Sequence, residues 1–126
     1  MRSMGSRIQP KLVTSHLDRA IKEGRLDAAW RQARLLPHVT LDRALRLTVL
    51  MADQSSPGYA GAARKFLARF MSEYKPSMRL VTDVAGALAG LERHLSIPQA
   101  REELLELADR IADQEVQRWQ PGGTPY

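Results

Sequence analysis

Apolar residues recur along this chain at helical spacing, close to 100° per residue. Over residues 11–23, Leu12, Val13, His16, Leu17, Ala20 and Ile21 share one face, and Gly24 offers a C-terminal cap. A second helix is expected over residues 26–36, with Leu26, Ala29, Trp30 and Ala33 turned inward, stopping at Pro37. A third follows a Thr40 cap and runs to residue 53. Its second half, "ALRLTVLMA", is apolar nearly all round, so it reads as the central helix. The fourth opens with Ser56 as N-cap and Pro57 in the first helical position, and closes before Pro76. The fifth begins after Ser77 and runs to about residue 95, carrying Leu80, Val81, Val84, Ala85, Leu88 and Leu91. The sixth starts at 97 or 98, where Ser96 and Gln99 have capping-box spacing, and reaches about residue 119.

The fourth helix contains "AARKFLARFMSEYK", in which bases alternate with rings. Such a mixture serves nucleic acid only if rings and cations point the same way. Here Tyr59, Ala63, Phe66, Leu67, Phe70, Met71 and Tyr74 fall within one stripe, and Arg64, Lys65, Arg69, Ser72 and Glu73 fall opposite. The rings are therefore expected in the core.

No stretch alternates with period two over the length of a strand. The expected fold class is all-α: about six helices in antiparallel hairpins, forming a compact bundle or a short α-solenoid-like array. Residues 8–119 read as a single domain, 1–7 as a disordered start or cloning remnant, and 120–126 as a disordered Pro/Gly tail. The segment "GRLDAAWRQARLLP" is locally similar to the second helix of a tetratricopeptide repeat. Its proline comes early, Ala33 stands where a bulky residue is expected, and no second copy follows at that repeat's spacing. It identifies no family.

Composition narrows the classes. The 126 residues contain no cysteine, so disulfides, thiol nucleophiles and cysteine-based zinc sites are excluded, and a reducing, cytoplasmic setting is expected. No apolar run is long enough to cross a membrane. Charge is uneven. Residues 1–95 hold 16 basic and 8 acidic side chains, a net of +8; residues 96–126 hold 3 and 6, a net of −3. A basic body with an acidic last helix favours charged partners, or an internal pairing of the two.

Candidate sites follow from this asymmetry. Glu102, Glu106, Asp109 and Asp113 stand at i, i+4, i+7 and i+11, an acidic ridge opposite Leu104, Ala108, Ile111 and Ala112. Its expected role is a solvated face or a dock for a basic surface, since no facing acidic helix completes a metal site. Arg43, Arg46, Arg64, Lys65 and Arg69 are the candidate basic surface, the kind that contacts phosphates. A helix-turn-helix formed by the second and third helices is disfavoured by the apolar character of the third. Gly86 and Gly90, four apart, are candidates for close helix packing or for a homodimer seam. Trp119 is expected to close the core or to anchor an interface.

The three histidines lack the spacings that gather metal ligands on a helix, and no nucleophile turn is present. His16 reads as a core-edge residue, His38 as a loop residue and His94 as a helix C-terminal one. The expectation is a non-catalytic protein-interaction or regulatory module without a cofactor, binding a protein partner through charged helical surfaces. The alternative is an accessory DNA- or RNA-binding protein that uses the basic outer faces.

Overall fold

The structure is a computed structural model that describes residues 10–93 and 97–118. It is all-α. The helices are α1 (Pro10–Lys22), α2 (Leu26–Arg34), α3 (Leu41–Asp53), α4 (Tyr59–Arg69), α5 (Met78–Glu92) and α6 (Ile97–Arg118), and α4 continues into a π-helical turn, Phe70–Tyr74. Among the described residues there is no strand. The expected features at residues 1–7, Ser96, Trp119 and 120–126 lie outside the described residues.

The chain clusters into two compact units, Met1–Thr40 and Leu41–Tyr126. In the first, α1 packs against α2. Gly24 joins them at φ 73°, a conformation that suits glycine. The amide of Gly24 donates to the Ile21 carbonyl and that of Arg25 to the Ala20 carbonyl, the paired bonds of a Schellman motif. Val13, Leu17 and Ala20 of α1 and Ala29 and Ala33 of α2 are buried. Leu12 and His16, expected on the same face, are exposed. Leu12 stands about 100° from Val13, and His16 about 60°, so both flank a buried stripe narrower than the hydrophobic pattern implied.

In the second unit α3 packs against α4 and α6, and α5 packs against α4 and α6. Each of the four helices thus has two neighbours, and they close around a common core, so this unit is a bundle and not an open array. Phe66, Phe70, Leu45, Leu104, Leu107, Ile111 and Val49 are the large side chains most fully buried there. Burying each is worth about 1.5–3 kcal/mol over leaving it in water. The central reading of α3 holds: Leu45, Leu47, Thr48, Val49, Leu50 and Met51 are all buried. The Thr48 hydroxyl donates to the Ala44 carbonyl at 2.7 Å, which makes its burial tolerable.

The α4 stretch folds as its spacing predicts. Phe66 and Phe70 are buried while Arg64 and Lys65 are exposed. The rings of Phe66, Phe70 and Tyr74 stack in a row, with centroids 5.5 and 5.2 Å apart. Met71 is a correction: it is exposed, in the π-helical turn, where the spacing departs from the α-helical one that placed it on the apolar stripe.

The start of α4 is a second correction. Ser55 adopts φ 52°, and the amides of Ser55 and Ser56 donate back to Ala52 and Met51, closing α3. Residues 57 and 58 then form a turn, so the helix begins at Tyr59 with no side-chain cap and Pro57 stands outside it. Ser77 does cap α5, its Oγ accepting from the Leu80 amide at 3.2 Å.

Candidate interaction surface on α5 and α6

Because Leu104, Leu107, Ala108 and Ile111 are buried, the opposite side of α6 is driven outward. Glu102, Glu106, Asp109 and Asp113 are all exposed there, on a continuous helix. They do not share one fate. Asp109 accepts from the Arg46 guanidinium at 2.8 Å, and Arg46 also lies 3.8 Å from Asp42 on its own helix. Among the described residues, Glu102, Glu106 and Asp113 have no ion pair or hydrogen bond.

The candidate basic residues divide similarly. Arg46 is engaged by Asp109 and Asp42. Arg69 donates to both Glu73 oxygens, at 2.7 and 3.2 Å. Arg43 is half-buried and already has an interaction. Arg64 and Lys65, adjacent on the outer face of α4, are exposed and have no ion pair among the described residues. Part of the basic-body, acidic-helix asymmetry is therefore internal. A further pair ties the same helices: Arg101 of α6 donates to both Asp53 oxygens at 3.0 and 3.1 Å. No local spacing points to it, since its members are 48 residues apart.

Gly86 is exposed, and a Cβ built there would meet nothing within 4 Å. The expected close approach of another helix at Gly86 is thus not made within the described chain; Gly90 is half-buried. Elsewhere on this face a groove of about 370 Å³ lies between α5 and α6. Leu80, Val84 and Ala87 of α5 and Leu104 and Leu107 of α6 supply its apolar lining. Asp83, Glu103 and Glu106 add three carboxylates, and Arg110 one cation. Of these, Glu106 belongs to the acidic ridge. Asp83, Glu103 and Arg110 are functional candidates that the pattern along a single helix does not isolate, because the groove exists only once α5 and α6 are in register.

Elsewhere in this unit the Tyr59 hydroxyl is buried and donates to the Leu88 carbonyl at 2.7 Å. Burial, with a smaller contribution from the nearby Glu92 carboxylate, pushes its pKa up to about 12. That proton holds α4 to α5 and is not poised for transfer near neutral pH.

His16 and His38 are both exposed, His38 in the loop after α2, and His94 lies outside the described residues. Among the described residues, no group of three or more His, Asp or Glu side chains is arranged to hold a metal ion. No helix among them is long and apolar enough to cross a membrane. Comparison with family models, curated proteins and solved structures returns no match for this chain.

Proposed function

We propose that the protein is a non-catalytic interaction or regulatory module that binds a protein partner through charged helical surfaces, principally the exposed side of α6. One observation carries this reading. Glu102, Glu106 and Asp113 lie exposed and unpaired among the described residues on a regular helix. Like charges at i and i+4, such as Glu102 with Glu106, destabilise a helix by about 0.2–0.5 kcal/mol per pair. No ion pair among the described residues offsets that cost, whereas a basic partner would. Complementary charge of this kind governs encounter rate and partner choice more than raw affinity. A cytoplasmic setting belongs to the same proposal.

A second reading rests on Arg64 and Lys65, the exposed cations of α4: accessory binding of DNA or RNA through phosphate contacts. The other candidate cations already have interactions, which leaves this reading the smaller surface.

The test is capture from a native lysate at low salt by the immobilised protein, beside the variant Glu102→Lys/Asp113→Lys. A protein retained by the wild type and lost from the variant supports the module. Retention indifferent to the two charges overturns it. Retention abolished by nuclease and by Arg64→Glu/Lys65→Glu replaces it with the nucleic-acid reading.

A further inference from the structure

We propose that the groove between α5 and α6 docks a basic amphipathic helix of a protein partner, seating an apolar side chain on its floor and Lys or Arg residues against its rim. The proposal rests on the interaction-module reading and names the chemistry of the partner.

The floor is apolar because the two helices meet there through aliphatic side chains, and Ala87, with only a methyl group, leaves part of it uncovered. Leu80 and Ala87 are half-buried, neither covered by solvent-side bulk nor fully enclosed. A cavity of about 370 Å³ suits an anchor side chain projecting from a partner helix, the usual helix-in-groove arrangement.

The rim selects the charge of the occupant. Asp83, Glu103 and Glu106 are exposed, and none has an ion pair or hydrogen bond among the described residues. Arg110 is the single cation among the groove's lining residues. Three carboxylates against one guanidinium around an apolar floor repel phosphate and attract lysine or arginine. A partner helix with leucine-like residues at i, i+3, i+4 and i+7, flanked by bases, satisfies both features together.

The probe is a fluorescein-labelled 15-residue peptide of that pattern, titrated with the full chain and read by anisotropy at low and high salt. Two control peptides accompany it, one with every base replaced by glutamate and one with the same composition scrambled. Micromolar binding of the patterned peptide alone is the expected result. Ala87→Trp, which fills the floor, should weaken it about tenfold or more. Glu103→Gln/Glu106→Gln should weaken it several-fold and remove most of its salt dependence. Circular dichroism melts establish that the variants remain folded, and the glutamine pair, being isosteric and exposed, keeps the test intact if tryptophan disrupts the bundle.

The proposal is overturned by absence of binding, by equal binding of the scrambled peptide, or by affinity that neither set of substitutions alters. It is likewise overturned if sedimentation shows a dimer that Ala87→Trp dissolves, because a second copy then occupies the groove. Glu102 and Asp113 do not line the groove. Lysate capture that depends on them without peptide binding therefore removes this inference and leaves the module reading standing, whereas failure of both removes both.

Discussion

Gly24 and Gly86 are the same residue type under opposite demands. Gly24 holds φ 73° at the end of α1, with nothing within 4 Å of a Cβ built on it, so alanine there is strained by backbone conformation alone. Gly24→Ala should cost about 1–2 kcal/mol in urea unfolding. Gly86 is exposed in the middle of α5 with equally open space, so Gly86→Ala should stabilise by up to about 1 kcal/mol. A loss at that position would instead mean that another copy approaches there. The first glycine was legible because it sits where apolar spacing stops. The second was read as a position of close helix packing or of a homodimer seam, because spacing cannot show whether a neighbour stands opposite. Tyr59 makes a different prediction. Its folded pKa of about 12 lies above the ordinary 10.0, so the folded state holds the proton more tightly. The associated stability is complete below pH 10 and is lost as pH rises toward about 12. Thermal melts of wild type should therefore fall more steeply over that window than those of Tyr59→Phe, which has no hydroxyl to ionise. At neutral pH the same substitution should cost about 0.5–1.5 kcal/mol for the lost hydrogen bond to Leu88.

The α4 stretch shows how far periodicity carries. Its rings, four residues apart, were assigned to the core from spacing, and the structure places Phe66 and Phe70 there. Phe70→Ala should cost about 3–5 kcal/mol, measured by denaturant unfolding, because it empties a buried site and breaks the stacked row on both sides. Boundaries were less legible. Ser56 followed by Pro57 has the composition of a helix start, yet the Ser56 Oγ accepts from the Gly58 amide at 3.3 Å within a turn, and α4 starts only at Tyr59. The close of α3 and the turn at residues 57 and 58 follow each other directly, so the chain turns once more before the helix begins. α5 was expected to begin after Ser77 and does, with the Ser77 hydroxyl oxygen accepting from the Leu80 amide. The acidic ridge of α6 was legible for a related reason: its four carboxylates need only one helix to align them.

Across the four-helix unit, two ion pairs join α3 to α6: Arg46 with Asp109, and Asp53 with Arg101. Both lie at least partly in solvent, where such pairs are worth about 0–1 kcal/mol. A double-mutant cycle with Arg46→Ala and Asp109→Asn should therefore give a coupling below about 1 kcal/mol, declining with salt. A much larger value would mean that charge, and not the Leu45, Leu104 and Ile111 core, holds these helices together. The all-α class, the six helices, the buried side of α4 and the exposed side of α6 were determined by the chain alone, because each depends on periodicity within about twenty residues and on local capping. The closure of α3–α6 into a bundle, the pairing of Arg46 with Asp109, and the groove lined by Asp83 together with Glu103 and Glu106 were decided only by the tertiary structure. These features depend on the register between helices distant in sequence, which is set by side-chain packing across their faces, and no spacing within a single helix records it.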